Sequence, residues 1–350
     1  MGPTIAFAQP GARGLPRVGQ PTLPGPMVAA PAASPHPGAP WQLRLETDDL
    51  DAHARAQPEW DLRYEQLSPG RFRGLLHHVQ LPLTRLVHER CNVAVRQRGR
   101  FTEDSYGFAL GLHEGESAIF NGQRVERDGI MLGRHGELDL CTPAGHALIA
   151  VVVQGELLVP LWERLYGKPP SAWMQAQLVV PARPGVADEL RAFHLQAMDE
   201  AAGRLADETA ARQLRDALLI EWFEALPESV DAGALPSALA RKKLVDQACE
   251  LMLSQPDEPL SMLEVCRRVG ASRRKLNYCF QDVLGTSPVK YLRAVRLNGV
   301  RRELRAAGAA AVQDVATRWG FWHLGQFARE YRQQFGELPS ETRRGAGAPP

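Results

Sequence analysis

One stretch of this 350-residue chain is written twice. Val265-Cys266, followed after two residues by Val269-Gly270, has its counterpart in Val315-Ala316, followed after two residues by Trp319-Gly320. After the first glycine come Leu276, Phe280, Gly285 and Pro288; after the second come Phe327, Tyr331, Gly336 and Pro339, in the same steps of four, five and three residues. The copies differ by one extra residue inside the turn. A short repeat of this kind is one supersecondary unit used twice. Its layout is a short helix, a glycine turn and a second helix of which only the apolar face is fixed by packing, as in a helix-turn-helix.

Local signals agree with that layout. Ser261 stands before MLEVCRRV and Ser272 before RRKLNYCFQDVL, both good N-caps, and Gly285 stops the second helix. In the second copy VQDVATRW leads through Gly320 to LGQFAREYRQQF, which Gly336 ends. Leu276, Phe280 and Leu284, and then Phe327, Tyr331 and Phe335, fall on core faces. The opposite faces carry Arg273, Arg274, Asn277 and Tyr278, and then Gln326, Arg329 and Arg332, with His323 at the head of the last helix. Arg, Asn and Gln read base edges bidentately and Arg also neutralises phosphate, so these eight residues are the expected DNA contacts. Between the copies, Ser287-Pro288 opens the amphipathic run VKYLRAVRLNGVRRELRA. As a helix it spans about 27 Å, close to the roughly 34 Å that separates successive major-groove faces.

Two similar hairpins also describe a plain packed bundle with a polar surface, and charge separates the readings. From Ala240 to Arg344 there are 19 Lys and Arg against 11 Asp and Glu, or +8, whereas the rest of the chain has 22 against 29, or −7. The overall +1 conceals a basic end joined to an acidic body, a pattern expected of a nucleic-acid-binding module attached to something else.

That body divides further. Residues 1–40, rich in Pro, Gly and Ala, read as a disordered leader. Between Phe72 and Val153 short apolar runs alternate with turn residues, the pattern of an antiparallel sandwich or small barrel. Val186–Leu226 changes to helical spacing. The expected domains are an effector-sensing part over 41–230, a linker over 231–240, the repeat domain over 241–344 and a disordered tail over 345–350. The longest strongly apolar run, Ala147–Val153, is far too short to cross a bilayer, and MGPTIAFAQPGARG lacks the marks of a secretory signal. The expected location is the cytoplasm.

No catalytic motif is present, and none of Cys91, Cys141, Cys249, Cys266 and Cys279 stands in a C-x-x-C pair, so reduced buried thiols are expected. His113, His135 and His146, with Glu114 and Glu137, share no ligand spacing and read as surface or loop groups rather than a metal centre. His77-His78 reads as one inward and one outward residue of a strand. Trp60, Tyr64, Phe101, Tyr106 and Phe108 are expected in the core, with a ligand pocket as the other reading.

The second copy, VQDVATRWGFWHLGQFAREYRQQFGELPSET, resembles the signature of the AraC/XylS family of bacterial transcription regulators over its whole length. The first copy and its connecting run, with WDLRYEQLSPGRFRGLL, AVRQRG and ELDLCTPAGHALIAVVV upstream, are most similar to the ethanolamine-utilisation branch of that family. The resemblance implies an α+β chain: a strand-rich, cupin-like barrel sensor with flanking helices, then an all-α tandem helix-turn-helix domain. It implies a DNA-binding activator of a catabolic operon whose partners are double-stranded promoter DNA, RNA polymerase and a small effector, with a homodimer as a further option. For that branch the effectors would be ethanolamine with adenosylcobalamin, no cofactor being required for the fold. The cobalamin pattern D-x-H-x-x-G is met at Asp51 and His53 but Ala56 replaces its glycine, as a chance match would. Other readings are a regulator responding to a different small amine or an aromatic catabolite, and a metal-dependent barrel enzyme fused to a basic domain.

Overall fold

The computed structural model describes residues 40–57, 60–112, 115–175, 178–227, 230, 235–254, 260–306, 308 and 310–345. The expected leader, apart from residue 40, and residues 346–350 of the expected tail lie outside them. In chain order come β1 (Trp41–Thr47), α1 (Leu50–Arg55), β2 (Arg63–Gln66), β3 (Gly74–Leu81), β4 (Thr84–Cys91), β5 (Val95–Gly111), β6 (Ala118–Phe120), β7 (Gln123–Val125), β8 (Gly129–Thr142) and β9 (Ala147–Gln154). Next are α2 (Gly155–Tyr166), β10 (Leu178–Pro181), α3 (Ala187–Arg204) and α4 (Glu208–Glu224). The helical end consists of α5 (Leu235–Leu253), α6 (Met262–Val269), α7 (Arg273–Leu284), α8 (Pro288–Arg305), α9 (Val312–Arg318), α10 (Leu324–Phe335) and α11 (Pro339–Gly345). This is the expected α+β order.

The strands form one antiparallel sheet in the order β1-β3-β4-β9-β5-β8-β6-β7, with β10 added to β8 and β2 to β5. Long strands β5 and β8 pair along their length, with a register shift between Phe101 and Tyr106. The first part of β5 holds β2 and the second part holds β9, so β5 serves both flanks of a rolled sheet. Inside the roll lie Phe120, Met131, Leu140 and Leu148. The outer face is covered by α2, α3 and α4, whose Leu158, Leu190, Trp222 and Phe223 pack on Val79, Leu86 and Phe108. His77 and His78 point to opposite faces by strand alternation. Both are buried, because helices cover the outside: His77 faces the charge of Asp199 on α3. Trp60 and Phe101 border a cavity inside the roll, Tyr64 and Tyr106 are buried, and Phe108 turns outward onto Trp222 and Phe223.

In the helical end, two separate cores form. One gathers Val265, Leu276, Phe280 and Val283 with α5 and the front of α8; the other gathers Val315, Phe327, Tyr331 and Phe335 with the rear of α8. Truncating a fully buried ring such as Phe280 to alanine costs about 3–5 kcal/mol. The segment expected as linker is helical from Leu235 onward, as the first turns of α5. Pro236 stands in the first turn, where a missing N–H costs nothing, and Ala238 is buried beside the β6–β7 turn, so the stretch that reads as a spacer is a docked helix start. All five cysteines are buried and unpaired, as expected. Among the described residues no helix is long and apolar enough to cross a membrane.

Candidate nucleic-acid interface

Both repeat copies fold as the spacing predicts. Ser261 Oγ accepts from the Glu264 N–H and Ser272 Oγ from the Lys275 N–H, each at 3.2 Å, satisfying N–H groups that a helix start leaves unpaired. Gly270 ends α6 with a φ of +66°, a left-handed conformation that glycine adopts without strain, and this sets the angle of α7. With Leu276, Cys279, Phe280 and Val283 turned inward, Arg273, Arg274, Asn277 and Tyr278 are all exposed. The side chain of Glu264 binds Arg267 and Arg268 at 2.8 and 2.7 Å, and hydrogen bonds from these arginines hold its carboxyl at about 2. The cations of α6 are thus paired, whereas among the described residues Arg273, Arg274 and Lys275 of α7 form no ion pair. Positive charge is left where an anionic backbone would approach.

In the second copy, Phe327, Tyr331 and Phe335 face inward and His323, Gln326, Arg329 and Arg332 are exposed. Gln326 is engaged: its Nε2 donates to Glu330 Oε1 at 2.8 Å, and Glu330 is also held by Arg293 of α8. The α10 start has no side-chain cap at His323, unlike that of α7. Sequence reasoning missed Lys275 and Trp322. Trp322 is 63% exposed in the turn before α10 while its neighbour Phe321 is buried. The signal was the pair Phe321-Trp322 itself, since adjacent aromatics in a tight turn cannot both reach one core.

The sequence also left unseen how the rolled sheet grips the helical end. Ile119 and Cys141 belong to the core of the first helix-turn-helix. Arg96, 0% exposed, donates to both oxygens of Asp139 at 2.8 and 2.6 Å and to Tyr291 Oη of α8 at 2.6 Å. Tyr291 in turn donates to Glu65, and Lys242 of α5 lies 3.2 Å from Asp139. Burial works against the charge on Asp139, but Arg96 and Lys242 prevail and hold its carboxyl at about 2. Further along, Gln66 bonds Asn298 of α8 and Gln334 of α10.

Inside the roll, a cavity of about 60 Å³ is lined mainly by apolar groups with Glu89, Gln57 and Gln97 at its wall. Glu89 accepts from His53 Nε2 at 2.8 Å, Tyr64 Oη at 2.7 Å and Gln97 Nε2 at 2.9 Å. Burial opposes its charge, yet these donors hold the carboxyl below its usual range. Ligand atoms of His53, Glu89 and Cys91 all lie within 4.8 Å of one another. Burial and the neighbouring Glu89 push the Cys91 thiol well up, so the group is arranged as a hydrogen-bonded cluster around one carboxylate. His113 and Glu114, and the side chain of His135, lie outside the described residues, and the sheet brings no metal-binding set together around His146 and Glu137 among the described ones.

Comparison with known proteins bears on this geometry. The family described as "Helix-turn-helix domain" matches residues 265–345. The "Probable thc operon regulatory protein" of Rhodococcus erythropolis is 41% identical over 103 residues, 29% of this chain and 31% of that protein. The "XylDLEGF operon transcriptional activator" of Pseudomonas putida is 41% identical over 75 residues, 21% of this chain and 23% of its own length. The chain thus spans about a quarter to a third of these relatives. A crystal structure of a transcriptional regulator from Chromobacterium violaceum, described as AraC-type DNA-binding domain-containing, is 32% identical and covered over 100% of its length by 34% of this chain, at a TM-score of 0.29. None of these relatives is named for ethanolamine. With two helix-turn-helix units alike in layout, residues 265–345 form a helix-turn-helix domain of the matched family, and over this basic end the chain is similar to named operon regulators.

Proposed function

We propose that the chain activates a catabolic operon by binding promoter DNA through α7 and α10 and that a small effector held inside the rolled sheet sets its activity, with RNA polymerase as the downstream partner. The observation that carries this reading is the exposure of Arg273, Arg274, Asn277, Tyr278, His323, Gln326, Arg329 and Arg332 on two helices built alike. Relatives named as operon regulators support it.

For the effector, ethanolamine is the first candidate. The cavity of about 60 Å³ suits a molecule of a few heavy atoms, and an ionised Glu89 at its wall is complementary to an ammonium group. Adenosylcobalamin is many times larger than that space, so the two compounds part company here. An aromatic catabolite would need more room, since a cavity of about 150 Å³ is the scale that holds a benzene ring.

The test uses the purified full chain and a duplex carrying its own upstream region. Affinity should fall steeply with salt, because each neutralised phosphate releases counterions. Ethanolamine should change that affinity, while adenosylcobalamin alone should not. Salt-independent binding, or none, overturns the DNA reading; binding that ignores ethanolamine overturns only the choice of effector.

A further inference from the structure

Reading two successive grooves requires the second helix to stand at a fixed distance and angle from the first. Each helix-turn-helix here has its own core, so their relation is set by what ties the cores together. Helix α8 runs through both and fixes their separation. A single axis, however, resists rotation about itself only through packing along its own side, helped here by the pair between Arg293 and Glu330. A second tie placed off that axis would restrain the remaining freedom.

The rolled sheet supplies one. Glu65 of β2 and Arg96 of β5 face each other in register, and both bond Tyr291, in the front half of α8 that belongs to the first core. The next residue, Gln66, holds the second unit. Its N–H donates to Asn298 Oδ1 at 3.1 Å, and its carbonyl accepts from Asn298 Nδ2 and from Gln334 Nε2, each at 2.9 Å. Its own side-chain amide donates to the Gln334 carbonyl at 2.7 Å. Asn298 and Gln334 are 3% and 7% exposed. Two buried amides on a DNA-binding domain, each matched to the backbone of one strand residue of another domain, form a built contact.

We propose that Asn298 and Gln334 are positioning residues for DNA recognition, and that through them the β2–β5 ladder fixes the spacing between the two groove contacts that the protein accepts. The inference rests on the DNA-binding reading. It also places the fixing element next to the effector cluster. Side chains alternate along a strand, so Tyr64, one residue before Glu65, points the other way and donates to Glu89 beside the cavity.

Operators would be selected from random duplexes with the full chain. The best operator would then be remade with one base pair added or removed between its two groove contacts. The variants Asn298→Asp and Gln334→Glu keep volume but replace an amide donor with an acceptor facing the Gln66 carbonyl, which opens the tie. Asn298→Ala and Gln334→Ala remove the same amides without adding charge and carry the test if the first two do not fold. The natural chain should lose about tenfold or more in affinity when the spacing changes, and the variants less than about threefold, the loss of two or three hydrogen bonds being of that order. The ratio between spacings is the readout, because a merely weakened fold, or added negative charge, lowers affinity for every duplex alike. An unchanged ratio, including tighter binding to every duplex, overturns the proposal. If the natural chain selects no operator, the DNA reading fails instead.

Discussion

Exchanging Arg96 for methionine would keep most of the aliphatic stem and remove a guanidinium that meets both oxygens of Asp139 and the Tyr291 hydroxyl with no exposure to water. Breaking a buried pair from one side costs about 3–5 kcal/mol, because the partner stays desolvated and uncompensated. Asp139 would retain Lys242 at 3.2 Å, which places the loss near the lower end, about 3 kcal/mol. Urea unfolding of the natural chain, Arg96→Met, Asp139→Leu and the double variant at neutral pH makes a closed cycle. The double variant should be more stable than Arg96→Met, since it removes the stranded charge together with its partner. Acid adds a second readout. Asp139 ordinarily titrates near 3.8 and is held at about 2, against the pull of burial, by Arg96 and Lys242. A carboxylate with a depressed folded-state pKa stabilises fully above its unfolded value and loses that stabilisation as pH falls through the folded one. The shift corresponds to roughly 2 kcal/mol, and in Arg96→Met its loss should begin at higher pH. A loss below about 1 kcal/mol with an unmoved acid transition would refute the view that this network holds the sheet to the helices.

Arg329→Ala should cost about 1–3 kcal/mol on the cognate site and relax preference at one base pair, whereas Arg332→Ala should weaken all duplexes alike; equal losses on specific and random DNA for both would reverse the assignment. The exposed indole of Trp322 stands before α10, so its fluorescence, isolated by comparison with Trp322→Phe, should change when a cognate duplex is added. His194 is buried beside Trp222, and burial pulls its pKa down to about 3, so the folded chain holds it neutral. The unfolded chain takes up a proton below the ordinary 6.5, so His194 contributes full stability above that value and progressively less as pH falls toward 3. A His194→Gln variant should flatten this part of the pH-stability curve.

The exposed faces of α7 and α10 were legible because their signals are local. Ser261, Ser272, Gly285 and Gly336 act within one turn of their own positions, and the inward apolar side chains at 276, 280, 327 and 331 recur at helical spacing. Exposure of the eight expected contacts follows once those side chains are placed. The grip between sheet and helices was not legible, because its partners are remote: Gln66 meets Gln334 across 268 residues, and a lone glutamine in a strand carries no mark of its partner. The start of α5 was misread for a related reason, as Pro and Ala look like a spacer unless something buries them. Asp51 and His53 matched a cobalamin pattern imperfectly, and His53 instead serves Glu89 from the buried side of α1. The cavity was out of reach, since it is a property of the closed sheet rather than of any segment.

The two helix-turn-helix units are held to the sheet by different kinds of contact. The first shares an apolar core with Ile119 and Cys141, whereas among the described residues no sheet residue enters the core of the second, whose contacts include the Gln66 backbone, the Gly70 N–H to the Gln334 carbonyl and the ion pair of Arg305 with Asp49. Water readily substitutes for amide bonds of the second kind, whose net worth is about 1 kcal/mol each, but it cannot substitute for buried hydrocarbon. Partial opening should therefore follow an order, with α9 to α11 lifting away while α6 and α7 remain seated. Hydrogen exchange would register this as earlier exposure of the amides around Gln66, Gly70 and the end of α10 than of those around Cys249 and Phe280. If the proposed DNA contacts hold, a chain built this way would search DNA with one unit held and the other intermittently released.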